Sequence, residues 1–370
     1  MKRNLSLALA LLLALSLLAG CGKPAAPSVT EVPAPTEVPA PTEAPAPTET
    51  PAPTPTPPEP EAPAEPEVPA EPEVPVESEA PDYDPDALHP LLWKVTDPEG
   101  HTLYLFGTIH VGDARSDAVL EKVSPFLLSC DALAVEFDLV AYEKDLGAVM
   151  ADYQQFVYTD GSTVRDRMPE ELYESCAELL REAGAYSPML DYYNLGMWAS
   201  LADTAALMSR SDLDPNAGMD RRLILLSYDN DIPVLDVESS SFQMGLLNSF
   251  PDELNLLRIQ AVLDNLDSYG ESVDALYEAW LAGDYDAILA LVLEEEETDE
   301  DYTEEQLAMI EDYNRAMIDE RNRGMAQVAL DWLAEGKTVF FAVGTGHMVG
   351  EAGLVQLLTD AGCTVERVDY

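Results

Sequence analysis

Two of the four histidines in this chain close nearly the same phrase. Leu103-Tyr104-Leu105-Phe106-Gly107-Thr108-Ile109-His110 and Val339-Phe340-Phe341-Ala342-Val343-Gly344-Thr345-Gly346-His347 each run apolar residues into a Gly-Thr, then place an imidazole one residue beyond it. Such apolar runs read as buried strands. Gly107 and Gly344 let the backbone turn sharply at their ends, and the hydroxyls of Thr108 and Thr345 can fix the turn. If the two strands are neighbours, His110 and His347 arrive at one place. Two His and one or two carboxylates around a divalent ion, with a position left for water, is the layout of a hydrolytic metal site.

The carboxylates that could complete it stand in other apolar strands. Glu136 lies within Leu133-Ala134-Val135-Glu136-Phe137-Asp138, where an acid is costly unless it is paired or metal-bound. Asp236 and Glu238 close Val234-Leu235-Asp236-Val237-Glu238 in the same way. Each acid alone has a plainer reading, as a cap of the next helix or the partner of an Arg. Which of Asp236 and Glu238 faces inward stays open, because a one-residue change of register exchanges the faces of a strand.

These residues need a sheet to bring them together. Leu91 to Thr96, a turn at Asp97-Pro98-Glu99-Gly100 and His101 to Phe106 predict an N-terminal β-hairpin. An amphipathic stretch from Asp117 to Ser129 then leads to a short buried strand, Ala132 to Phe137. Further strands are expected at Ile232 to Val237, Thr338 to Val343 and Cys363 to Val368, the last two flanking a helix from His347 to Asp360. Strand, helix, strand is the order of a parallel α/β unit. Two long helical blocks intervene, about Ala141 to Asn230 and Phe242 to Glu335, the first with stop signals at Pro169 and Gly184, the second broken near Gly283 and carrying an acidic run from Glu294 to Asp301. The expected fold is α/β: a mostly parallel core sheet with the hairpin, crossover helices and long helical insertions forming a cap. Ligands of open α/β sheets gather outside the carboxyl ends of the strands, where the two His fall.

The rest of the chain bounds where this domain works. Residues 1–20 carry Lys2 and Arg3, an apolar stretch from Leu5 to Leu18, and Leu18-Ala19-Gly20 before Cys21, the pattern of a lipoprotein signal peptide with Cys21 as the lipidated residue. The plainer alternative is a secreted protein in which Cys21 is incidental. Residues 21–87, nearly all Pro, Ala, Glu, Thr and Val, hold no core-forming pattern and read as a disordered extended stalk. The folded domain is then 88–370. The expected location is the extracytoplasmic face of a bacterial cell membrane, with the bilayer met only through Cys21. A net charge of −51 makes nucleic acid or an anionic membrane surface an unsuitable partner and is compatible with cationic peptides or metal ions. Cys130, Cys176 and Cys363 fit no zinc spacing and read as packing thiols, with a bridge from Cys130 left open. His89 and His101 are expected at the surface, and Asp113 as a helix cap.

Taken together, Leu91-Leu92-Trp93-Lys94-Val95, the stretch from Leu103 to Asp113 and Leu133 to Asp138 resemble the opening of the TraB/GumN/PrgY family, which includes the Tiki metalloproteases. Gly218-Met219-Asp220, Val234 to Glu238 with Gln243, Arg321-Asn322 and Val343 to Gly350 continue the resemblance to the end of the chain. It implies a metal-dependent site built from two G-x-x-H motifs and acids, with peptide cleavage among some members. Carried over, His110 and His347 are metal ligands, Glu136 a ligand or general base, and Glu238 a further acid. Gly107, Thr108, Asp220, Gln243, Gly344 and Thr345 support them. Arg321 is either a stabiliser of a developing oxyanion or a buried salt-bridge partner of Glu136 or Asp220. Asp236-Val237-Glu238 departs from the plainer strand end common in the family. The expected activity is that of a surface-anchored metal-dependent hydrolase, a peptidase using Mn, Co or Zn. The alternative is a binding protein that sequesters a peptide pheromone, haem or a metal ligand without turnover. Metal identity, substrate and oligomeric state are not set by the sequence.

Overall fold

A computed structural model describes residues 83–292 and 302–370. The leader, Cys21, nearly all of the expected stalk and the acidic run after Val292 lie outside the described residues. Six strands form one sheet: β1 (Leu92–Thr96), β2 (Thr102–Thr108), β3 (Ala132–Val135), β4 (Val234–Asp236), β5 (Val339–Gly344) and β6 (Thr364–Arg367), in the order β4-β3-β5-β2-β1-β6. β1 pairs antiparallel with β2 and with β6, whereas β2, β5, β3 and β4 pair in parallel. β1 is thus the single reversed strand, and the predicted hairpin and mostly parallel core are both present.

The two central strands explain the apolar runs. Every residue of β5 and of β3 is buried, as expected for parallel strands covered on both faces. In the hairpin strand β1, by contrast, Lys94 is exposed between buried Trp93 and Val95. The hairpin turn is closed by the Asp97 carboxylate, which accepts the His101 amide at 2.8 Å, with Gly100 at φ 92°.

The helices, in chain order, are α1 (Arg115–Leu127), α2 (Leu139–Tyr142), α3 (Leu146–Gln154), α4 (Glu170–Glu182), α5 (Leu195–Arg210), α6 (Met219–Asp229), α7 (Ser240–Asn248), α8 (Asp252–Asp264), α9 (Leu266–Ala282), α10 (Tyr285–Val292), α11 (Glu304–Asn314), α12 (Arg321–Ala334) and α13 (Leu354–Asp360). Pro169 precedes α4 and Gly184, at φ 70°, follows it, while Gly283 in the left-handed region ends α9. α5 is buried along its whole run from Leu195 to Leu207, so it forms the centre of the helical layer against α4, α8 and α9. Within that layer Asp203 and Arg258 make a buried ion pair at 3.0 Å.

Several local expectations change. The helix between β5 and β6 begins at Leu354, because His347 belongs to a short 3-10 turn and Gly350, at φ 86°, breaks the chain before α13. β6 runs in the direction of β5 but lies beyond β2 and β1, so that unit crosses two strands. His89 is half-buried, with Nδ1 2.9 Å from the Tyr370 carbonyl, and His101 is tied to Asp97; neither is simply a surface residue. Asp113 does accept the Arg115 amide at the start of α1, at 2.8 Å. Cys130, Cys176 and Cys363 are all free thiols. Among the described residues no helix is long and apolar enough to cross a membrane.

Candidate active site

The parallel register sets Gly107 beside Val343 and Thr108 beside Gly344, so the two Gly-Thr turns leave the sheet side by side. They touch: a Cβ on Gly107 would stand 2.8 Å from Thr345 Oγ1. The indole of Trp280 on α9 donates to the Gly107 carbonyl at 2.8 Å and fixes the end of β2. Trp280 had no signal in sequence beyond its place in a helix, since its acceptor lies 173 residues away.

His110 is held from the other side by the start of α6. Gly218 lies so close that a Cβ there would meet the His110 carbonyl oxygen at 2.4 Å, and Met219 N–H donates to the Ile109 carbonyl at 2.8 Å. This contact delivers Asp220. Its Oδ1 accepts the Thr108 hydroxyl at 2.5 Å, and its Oδ2 is 2.8 Å from His110 Nδ1. Asp220 thus stands beside Nδ1 of the His110 ring, with Nε2 on the far side.

His347 is wholly buried. Its Nδ1 is 2.6 Å from Asn322 Oδ1, and the Asn322 amide nitrogen donates to the Ala352 carbonyl at 2.8 Å. Donation to a carbonyl fixes which end of the amide is nitrogen, so Oδ1 must accept from His347 Nδ1–H. Nε2 therefore carries the lone pair; among the described residues it has no hydrogen-bond partner, and Glu136 Oε1 is 3.8 Å away. Burial and the neighbouring Arg321 charge push the imidazole down to about 3, with Glu136 opposing them. His347 is neutral at physiological pH. Thr345 Oγ1, in the same turn, is also buried without a hydrogen-bond partner among the described residues.

The acids are gathered by one guanidinium. Arg321 Nη2 donates to Glu136 Oε2 and to Glu238 Oε2, each at 2.7 Å, while Nε donates to Glu238 Oε1 at 2.9 Å. Gln243, on α7, donates its amide to Glu136 Oε2 at 3.0 Å and to Glu238 Oε2 at 2.9 Å. Glu136 Oε1 accepts the Gly344 amide at 3.0 Å. Burial pushes the Glu136 carboxyl up, but the Arg321 charge, joined by the His347 and His110 rings and the Gly344 N–H, outweighs it and holds the group at about 2. Asp236 lies outside this cluster and accepts the Asp138 amide at 2.8 Å. Glu238 is thus the acid turned toward Glu136, and Arg321 makes the buried salt bridge to Glu136 and Glu238 rather than to Asp220.

His110, His347 and Glu136 offer two imidazole nitrogens and a carboxylate oxygen, donors that suit a divalent transition ion. The unpartnered Nε2 of His347 facing an ionised carboxylate is a place where a cation would be attracted. Both oxygens of Glu238 are engaged by Arg321 and Gln243, so Glu238 stands behind Glu136 in this arrangement. Among the described residues no group of three or more His, Cys, Asp and Glu side chains is already arranged to hold a metal ion.

The sequence pattern of the TraB/PrgY/gumN family matches residues 91–367. A protein from Amphimedon queenslandica named as a metalloprotease TIKI homolog is 25% identical over 314 residues, covering 75% of this chain and 61% of the relative. The chain thus spans less than two thirds of that relative's length. No solved structure matches it.

Proposed function

The chain belongs to the TraB/PrgY/gumN family, and from that premise we propose that it is a metal-dependent hydrolase that cleaves peptides. The observation that carries this reading is the buried confrontation of His347 Nε2 with Glu136 Oε1 at 3.8 Å. Both atoms are acceptors, and a cation between them removes their mutual repulsion. A divalent ion bound there would polarise a carbonyl and lower the pKa of a bound water.

The chain's own residues prepare that chemistry. Asn322 binds His347 at Nδ1, so that ring offers Nε2, and Asp220 stands at ion-pair distance from Nδ1 of His110. Arg321 and Gln243 occupy Glu136 Oε2 and leave Oε1 turned toward His347. A carboxylate held at about 2 is ionised but weakly basic, whereas a general base works best with a pKa near the working pH. Of the two roles open to Glu136, the geometry and the charge favour ligand. Arg321 acts through the carboxylates it binds, as a positioning residue. The proposal also places the protein on the extracytoplasmic face of a bacterial membrane, held by acyl chains on Cys21; its support is the sequence of the first 21 residues.

His110→Ala and His347→Ala are each expected to abolish uptake of Mn, Co or Zn, read by elemental analysis, together with peptide cleavage, read by mass spectrometry. Full metal uptake in both variants ends this reading. Capture of a peptide, haem or metal-containing ligand without turnover is the second reading, favoured by the lack of a ready-made three-ligand group among the described residues. A ligand recovered intact in stoichiometric amount would support it.

A further inference from the structure

Helix α3 packs Tyr153 against the core but also turns an acid inward and two large apolar side chains outward. Asp152 is its single buried residue, 3% exposed, with Oδ1 accepting the Gln155 amide at 3.1 Å. Leu146 and Met150, one turn apart, are 72% and 73% exposed. Gly147, Ala151 and Gln154 are exposed beside them, so the outward face of the helix carries no charge. An amphipathic surface helix does the opposite, turning its apolar stripe to the core. Helix α7 packs beside α3, with the Gln155 amide 3.5 Å from Ser241 Oγ. It adds Phe242, half-exposed, from the same turn that sends Gln243 inward to Glu136 and Glu238.

We propose that this face, with Leu146 and Met150 at its centre and Phe242 toward the acid cluster, docks the apolar side of a cationic amphipathic peptide. Resting on the hydrolase reading, the proposal makes such peptides the substrate class of the neighbouring site. Charge selects this occupant. The chain holds 70 acidic and 19 basic residues, for a net charge of −51. The single cation between Asp138 and Gln154 is Lys144, which lies over the Tyr228 ring at 5.7 Å. A helix that binds an anionic membrane surrounds its apolar face with Lys and Arg, and α3 has none within it. A second copy would bring the same negative charge. A cationic peptide is steered by the acidic surface and offers an apolar side that can cover the face.

The test uses the full chain without added metal, so that binding is read apart from cleavage. Fluorescence anisotropy with a labelled amphipathic Lys/Leu peptide should show binding that weakens with salt, and the Leu146→Ser/Met150→Ser variant should bind about tenfold less tightly. Both positions are exposed, and an unchanged thermal midpoint of the variant checks that the fold is intact. Equal affinity for a Glu/Leu peptide of the same pattern, or unchanged affinity in the double variant, overturns the proposal. So does binding to phosphatidylglycerol vesicles that the double variant abolishes, or a dimer in sedimentation that it abolishes, since either gives the face to another occupant. Docking of the Lys/Leu peptide with no cleavage after metal is added would overturn its assignment as the substrate class, while metal uptake in the parent and its loss in the two His variants test the hydrolase reading separately.

Discussion

Arg321→Met keeps a long apolar stem and removes the guanidinium shared by Glu136 and Glu238. The side chain is 1% exposed, so water cannot replace what is lost. Glu136 moves from 4.5 to about 2 in the folded chain, which corresponds to ~3 kcal/mol of stability. Removing one partner of a buried ion pair costs about 3 to 5 kcal/mol in general, and Arg321 is the largest of the several groups that oppose burial at Glu136. The pH dependence has a definite sign. A depressed carboxylate contributes stability that is complete above 4.5 and is lost as pH falls toward 2. In the variant Glu136 takes up a proton at higher pH, so the deficit relative to the parent should narrow below pH 4.5. Urea unfolding of the metal-free chain, followed by circular dichroism at neutral and at acid pH, measures both quantities. Adding Glu238→Gln to the variant should recover part of the loss, because it removes one of the stranded charges. A loss under about 1 kcal/mol at neutral pH, or one that does not change with pH, refutes the argument. Such a variant, stable but slow in peptide cleavage, is what an Arg321 directed at a developing oxyanion would give instead.

Two further perturbations probe the second imidazole and the helical layer. Asn322→Ala removes the acceptor of His347 Nδ1–H; metal affinity should fall about 10- to 100-fold, and ring-nitrogen NMR shifts of the metal-free chain should show mixed tautomers. An unaltered single tautomer would assign its control elsewhere. Asp203, buried beside Arg258, has its carboxyl raised by burial from 3.8 to about 6. Between those values the native state binds a proton more readily than the unfolded chain, so this group's contribution declines by ~3 kcal/mol as pH rises from about 4 to 6. Asp203→Asn should remove that slope from the unfolding free energy; parallel pH profiles for parent and variant would show that Asp203 does not supply it.

How much could be read beforehand follows from where each signal was stored. β3 and β5 are buried on both faces, and their unbroken apolar runs stand out in the sequence. The His residues at the strand ends were legible for the same reason, since β2 and β5 are parallel neighbours and their Gly-Thr turns align. The choice between Asp236 and Glu238 was not. Val237 and Glu238 donate in succession to Val135 and Glu136, at 2.9 and 2.8 Å, whereas a regular strand turns alternate N–H groups to the same neighbour. The chain leaves strand geometry there, and Glu238 turns to Arg321 while Asp236 stays with the Asp138 amide. Alternation along the sequence carries no record of such a break.

Arg321 was harder still, and the reason lies in its own helix. Its carboxylate partners are 83 and 185 residues away, so no local pattern pairs them. Between α11 and α12 the chain also makes a π-helical segment, Arg315–Glu320, directly before Arg321. Each α-helical residue advances about 100° around the axis, and a π turn inserts an extra residue; a 3.6-residue period carried unbroken from buried Ile310 and Tyr313 would keep Arg321 near their face but carry Asn322 away from it. With that insertion Met317, Ile318, Arg321, Asn322 and Met325 all turn inward. Two of them are polar and adjacent in sequence, and the helix uses both: Arg321 takes the two carboxylates and Asn322 takes His347. The π turn is therefore part of how the site is positioned, because it aims one pair of neighbouring side chains at the acids and at the imidazole together.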